Sequence, residues 1–458
     1  MTQRISFGEK VGYGLGDLAA NFIFQAMIAL VLNFYTDTFG LTAAQAGTLF
    51  LVVGMISAVL NPVMGFIADR TNTRWGKFRP WLLWTAVPFG IIGVLTFTTP
   101  HIGIGAKLIY AYVTYFLLRL IYTVNNVPYA ALTGVMTDDP DERTSIATYR
   151  QVFANSAGFI VQSLAIPMRN YFGHGNPANP AKGWQMTMGL FSVLSVLFFV
   201  IAFLATKERI QPKPGQKSSV GTDLKDLVKN GPLIALFLVT LFYFIAIVMR
   251  GNVMLPFFKY FAGHETLFSW FNGFGLAALL IGVAVSSSLS ARIGKRTLFI
   301  VSMALVAVLS AVLLFLPATA TTLIIGSEIL RQFAFGWSGP LLWAMIGDAA
   351  DYGEWKTGRR ATAAVTSAVV FALWAGLALG QAMAGWLLSA YGYVSNAAQS
   401  EQSLLGIRLI ASVFPALFFA AAAACLFFYP ITKELNRKIA DDLIARRKTY
   451  GTQELPGA

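Results

Sequence analysis

About twelve nearly uncharged, mostly apolar stretches, each roughly twenty residues long, fill this chain, and that pattern leaves few folds open to it. An α-helix rises about 1.5 Å per residue, so a stretch of that length matches the ~30 Å hydrocarbon core of a bilayer. Ile234 to Met249 carries no charge in sixteen positions and Met186 to Ala205 none in twenty. One such run is compatible with a buried core helix, but a dozen cannot share one soluble core. Charged residues make up 12% of the chain, against about 25% in soluble domains. The sequence therefore predicts an all-α membrane protein.

The predicted spans are 11–36, 46–68, 81–99, 107–133, 147–169 and 185–205, then 231–255, 267–290, 298–317, 322–346, 362–388 and 405–429. The net charge of +13 is unevenly placed. Alternate gaps hold 25 Lys and Arg residues, among them Arg70 to Arg79 and Lys207 to Lys229, whereas the intervening gaps hold five. Basic gaps face the cytoplasm, which puts both termini inside and makes the basicity topological rather than a sign of nucleic-acid binding. No cleavable leader is expected, because Met1 to Lys10 is polar and no short apolar segment precedes the first span.

A loop over 206–230, rich in Lys, Pro, Gly and Ser, divides the spans into two groups of six. The domains expected are a six-helix bundle over 1–205, a cytoplasmic linker over 206–230, a second bundle over 231–429 and a cytoplasmic tail over 430–458. The halves echo one another. Asp69 to Arg79 after span 2 matches Arg292 to Arg296 after span 8, and Asp138 to Arg143 after span 4 matches Asp348 to Arg360 after span 10. Two related six-helix bundles are the usual build of alternating-access carriers.

The chemistry of an enzyme finds little support. His101, His174 and His264 all fall in gaps assigned outside, Cys425 is a lone cysteine in the last span, and no Gly-rich phosphate loop occurs. No cofactor or metal site is expected.

Six blocks occur in order along the chain: Gly12-Tyr13-Gly14-Leu15-Gly16-Asp17, Phe34-Tyr35-Thr36-Asp37, Arg74-Trp75-Gly76-Lys77-Phe78-Arg79-Pro80, Asn126-Val127-Pro128-Tyr129, Asp138 to Arg143, and Asp348 to Trp355. Together they resemble the glycoside–pentoside–hexuronide transporters of the major facilitator superfamily, the group of the melibiose and glucuronide carriers. That resemblance implies twelve transmembrane helices in two pseudo-symmetric six-helix bundles. It also implies a cytoplasmic gate from Asp69, Arg74, Arg143, Asp348, Asp351 and Arg360, whose partly hydrated ion pairs are weak enough to break in each cycle. Sodium-coupled members carry two carboxylates one turn apart on helix 2, where this chain has Ser57 and Asn61. A hard cation seeks charged oxygen ligands, so coupling to Na⁺ or H⁺ through Asp17, Ser57 and Asn61 is left open.

Ionisable and polar groups within a membrane are costly and mark function. On helix 1, Asp17, Asn21 and Gln25 share one face, and on helix 4, Arg119, Tyr122, Thr123 and Asn126 form a second stripe. Similar carriers have a sugar-binding arginine at the position of Arg150, and Trp374 offers an indole face on helix 11. Arg250, Glu328 and Arg331 are further charges within spans; for Glu328 and Arg331 an intrahelical ion pair is the simpler expectation. The expected substrate set is Asn21, Gln25, Tyr122, Thr123, Asn126, Arg150 and Trp374. Amides match vicinal hydroxyls, indoles stack on sugar C–H faces, and an arginine favours an anionic sugar. The expectation is a sugar or glycoside transporter in an inner membrane, with lipid and a small solute as partners. An uncoupled facilitator and an amphiphile carrier remain alternatives.

Overall fold

A computed structural model describes residues 5–137, 139–173, 179–209, 230–357, 362–439 and 441–443. Among them the regular structure is helical apart from one isolated bridge, Thr73 to Gly76. Most of the expected linker and tail lies outside the described residues.

The first six spans are α1 (Phe7–Ala29, continued by Val31–Asn33 and Phe34–Phe39), α2 (Ala43–Arg70), α3 (Arg79–Thr96), α4 (Ile104–Met136), α5 (Pro140–Phe172) and α6 (Pro180–Ala205). The others are α7 (Gly231–Pro256, continued by Phe257–Phe261), α8 (Leu267–Ile293), α9 (Lys295–Val312), α10 (Thr321–Gly336 and Ser338–Thr357), α11 (Thr362–Ala390) and α12 (Glu401–Ala411 and Val413–Phe427). Among the described residues, nine helices are long and apolar enough to cross a membrane, and the bent α1 makes a tenth. The two that fail this test are α5 and α10, and each is rich in polar residues. At 33 residues α5 is about 50 Å long, so it runs well past the predicted 147–169. Hydropathy does not register a helix that continues into water.

Local chemistry sets the helix ends. Ser6 caps α1 by accepting the Glu9 N–H, and Thr42 with Gln45 forms a capping box on α2. The first span, expected over 11–36, is bent by 56° near Leu30, and its last turns are a π-helix that stops at Gly40, φ 92°. The start of α3 has no capping side chain of its own, since Phe78 occupies that position. The Glu208 carboxylate, which follows α6, accepts the N–H groups of Lys77, Phe78 and Arg79 at 2.8, 2.7 and 2.8 Å.

The chain forms two compact units. The first holds residues 1–215, 251–273 and 381–407, and the second holds 216–250, 274–380 and 408–458. The unit boundaries thus run through α7, α8, α11 and α12. In the first unit α1 packs on α5 and α6, α3 on α4 and α6, and α2 on α4. Gly12, Gly14 and Gly16 make the α1 contacts possible on three sides. A Cβ on each would lie 2.2 Å from Ala205 of α6, 2.4 Å from Phe153 of α5 and 2.6 Å from Tyr129 of α4. In the second unit a continuous core joins Leu236, Tyr243, Phe299, Met303, Met345 and Phe419. On α3, Trp84, Val87, Ile91 and Leu95 form an exposed apolar stripe.

Candidate functional site

The first unit gathers most of the polar residues singled out in the sequence. Arg150 on α5 donates from Nε to Asp17 Oδ2 on α1 at 3.0 Å. The Asp17 side chain is 7% exposed and that of Arg150 is 32% exposed, so the carboxylate is enclosed while the arginine side chain is partly open. Tyr129 of α4 lies beneath that guanidinium, 5.3 Å from its ring centre. Tyr129 donates to the Tyr13 carbonyl oxygen, Tyr13 donates to the Tyr129 carbonyl oxygen, and the two rings stack at 4.5 Å. These exchanged bonds fix the aromatic floor, and through it the arginine, by a cation–π contact.

Asn21, one turn beyond Asp17, donates its amide to the Asp17 carbonyl oxygen at 2.9 Å. Gln25, a further turn along, accepts from Gln162 of α5 at 3.4 Å. Tyr122 stacks on Phe24 at 4.7 Å. Asn126 is half-buried, and Thr123 is buried. Arg119, the first member of the α4 stripe, is also buried. Trp374 belongs to the second unit, half-buried on α11.

Ser57 and Asn61 turn their donors on their own helix, Ser57 to the Val53 carbonyl oxygen at 2.8 Å and Asn61 to the Ser57 carbonyl oxygen at 3.0 Å. Neither supplies charge. Among the described residues, no group of three His, Cys, Asp or Glu side chains has the arrangement of a metal site.

The expected gate residues divide as follows. Lys295 at the start of α9 holds both carboxylate oxygens of Asp348 at 2.8 Å within the second unit. Arg143 donates to the Thr137 and Gly134 carbonyl oxygens at the end of α4, and Arg74 is exposed with its guanidinium over the Trp75 ring. Asp351 is half-buried on α10. The Asp69 side chain and Arg360 lie outside the described residues.

A family model for an MFS/sugar transport protein matches residues 12–433. The chain belongs to this family. The match bears out the resemblance read from the six sequence blocks, and with it the major facilitator fold. Among its relatives, the putative glycoside/cation symporter YagG of Escherichia coli is 39% identical over 98% of this chain and 97% of that protein. The isoprimeverose transporter of Lactiplantibacillus pentosus is 36% identical over 95% of this chain and 91% of that protein. The crystal structure of a D-xylose–proton symporter has the same fold, with a TM-score of 0.66 at 15% identity and coverage of 94% and 98% of the two chains. A member of this transport family is a membrane carrier and not an enzyme.

Three arrangements in this MFS protein lay beyond the sequence reading. Asp37, at the end of α1 remote from the N-terminus, pairs with Lys259 at the end of α7 and accepts from Tyr260 and Tyr393 at 3.2 and 2.8 Å. Burial, reinforced by the Asp37 charge, pushes the Tyr393 hydroxyl well above its ordinary range and keeps it a donor. Gln381 is buried, accepts from Tyr115 at 3.1 Å and donates to the Met27 carbonyl oxygen at 3.0 Å, so it ties α11 to α4 and α1. Glu328 not only pairs with Arg331 on its own helix, as the spacing predicted, but also receives Arg250 of α7 at 2.7 Å. The i, i+3 spacing signalled the first of these contacts; residues far apart in sequence gave no local signal of the others.

Proposed function

We propose that this chain is a secondary transporter that carries a sugar or glycoside across the inner membrane by alternating access, with both termini on the cytoplasmic side. The observation that carries this reading is the Asp17–Arg150 pair: an enclosed carboxylate holding the Nε of an arginine whose side chain is about a third exposed. Asn21 and Gln25 line the same face of α1, so a solute at the open side of Arg150 meets amides suited to hydroxyl groups. Relatives named as glycoside symporters support the substrate class. The clustering of Lys and Arg in alternate gaps supports the orientation.

The same pair supplies a route for a proton. While Asp17 is ionised it neutralises Arg150. A proton taken up by the Asp17 carboxylate removes that negative charge, and Arg150 is left with an uncompensated positive charge in a low-dielectric site. An anionic sugar such as a glycosiduronate then completes the pair through its own carboxylate. Departure of the sugar returns Arg150 to Asp17 as the proton leaves. Proton and anion move together, and the loaded site is as neutral as the empty one. Ser57 and Asn61, uncharged and bonded to their own helix, favour this route over a sodium site on α2. The Lys295–Asp348 pair supports a breakable ionic closure at the cytoplasmic ends, to which Asp69, Arg74, Arg143, Asp351 and Arg360 are assigned.

Uptake of labelled glucuronide into proteoliposomes, with and without an imposed proton gradient, tests the reading. Accumulation driven by an inward proton gradient is expected. Uptake that stops at equilibrium under every gradient identifies a facilitator. Sugar-insensitive binding of an amphiphile identifies a carrier of another cargo.

A further inference from the structure

At one end of the second unit, α8 turns into α9 through the single residue Gly294, φ 88°, and the segment after α12 packs against this elbow. Arg296 on the first turn of α9 donates to the carbonyl oxygens of Leu426 and Phe427, at 3.1 and 2.9 Å, where α12 ends. Lys433 donates to the Ala291 carbonyl oxygen at 2.8 Å, in the last turn of α8. Both cations are therefore held at the C-terminal ends of helices, where carbonyl dipoles favour them. Carbonyls fix their positions without cancelling their charge, and among the described residues neither is within ion-pair distance of a carboxylate. Beside them lies a groove of about 510 Å³. Its lining joins charged side chains, Arg296, Lys433 and Glu434 (termed the rim), to apolar ones, Ile293, Ile300, Val301 and Phe427 (termed the floor). Ile293, Val301 and Phe427 are 48%, 39% and 63% exposed.

Two carbonyl-anchored cations lining one groove with exposed apolar side chains, at the ends of membrane-spanning helices, match one chemistry. We propose that this groove binds an anionic phospholipid, its phosphate between Arg296 and Lys433 and an acyl chain along Ile293, Val301 and Phe427. Basic pockets between helices at the cytoplasmic side of a membrane protein are suited to such headgroups. A free phosphate would use the rim and leave the floor bare. A zwitterionic lipid would fill the floor and bring no net charge to the rim. The lipid holds the α8–α9 elbow against the end of α12, independently of which solute is carried.

The test is native mass spectrometry of the full-length protein titrated in detergent with phosphatidylglycerol, with phosphatidylcholine, or with inorganic phosphate. Phosphatidylglycerol is expected to be retained, phosphatidylcholine to be lost at the same activation, and phosphate to leave retention unchanged. Each basic residue near an anionic surface contributes about 1 kcal/mol, which is roughly a fivefold effect. Retention should therefore fall about fivefold in Lys433→Gln and about thirtyfold in Arg296→Gln/Lys433→Gln. Arg296 also caps α12, so should the double variant lose its monodisperse elution, Lys433→Gln alone decides. Equal retention of phosphatidylglycerol and phosphatidylcholine, competition by phosphate, or wild-type retention in Lys433→Gln would each overturn the proposal.

Discussion

Asp17 and Arg150 meet at 3.0 Å with unequal access to their surroundings: the Asp17 side chain is 7% exposed and that of Arg150 is 32% exposed. In the transport cycle proposed above, that asymmetry suits Asp17 to take up the proton and Arg150 to meet the solute, one carrying the variable charge and the other the constant charge.

Asp17→Asn keeps the shape of the acceptor and removes its ability to ionise. Exchange of labelled for unlabelled glycoside across the membrane is expected to persist, while accumulation driven by a proton gradient falls to equilibrium. Counterflow and driven uptake, measured on the same proteoliposomes, check this. Accumulation at the wild-type level in the variant would remove Asp17 from coupling.

Glu328 accepts from both Arg250 and Arg331 and is 1% exposed. Glu328→Gln leaves two buried guanidinium groups without their counter-charge, a loss of about 3–5 kcal/mol. The variant is expected to aggregate on extraction or to melt well below the wild type. Replacing Arg250, Glu328 and Arg331 together by Met, Leu and Met should recover much of that loss, since no charge then remains to compensate. Thermal unfolding followed by size-exclusion fluorescence reads both outcomes.

Glu208 supplies from a distance the cap that α3 lacks locally. Glu208→Ala removes acceptors from the Lys77, Phe78 and Arg79 N–H groups. A lost cap costs about 1–2 kcal/mol, so a modest fall in melting temperature is expected. Amide exchange should quicken at the start of α3 and stay unchanged in α9.

The Asp37 cluster closes one end of the first unit. Asp37→Asn weakens its pairing with Lys259, and a cysteine at Asn396 should then react faster with a membrane-impermeant maleimide. In the Asn396→Cys protein that keeps Asp37, reaction normalised for the reagent's own pH dependence should stay flat between pH 7 and about 10. The sign follows from Tyr393: its hydroxyl is held above its ordinary range, so it stays a neutral donor to Asp37 as pH rises through the usual tyrosine value. A normalised rate that climbs near pH 10 would contradict this.

Much of this architecture is legible in the sequence for a simple reason. Backbone groups in a bilayer must bond within the chain, so apolar length alone specifies a helix. The bend in α1 was not legible, because the break at Leu30 falls within an apolar run, Ala29-Leu30-Val31-Leu32, that reads like any straight span. Of the candidate site, Arg150 and Asp17 were each visible as charges within spans, but their pairing spans 133 positions and depends on Gly14 and Gly16 bringing α5 and α4 against α1. Gln381 shows the opposite limit. A polar residue on helix 11 reads as a solute contact, yet it is buried as a tie between helices.

Calorimetric titration of glycoside into the purified Arg150→Ala variant, beside the wild type, is the most direct measurement. The Asp17–Arg150 account predicts saturable heat for the wild type and none for the variant at matched folding. Binding of wild-type affinity by Arg150→Ala would contradict it.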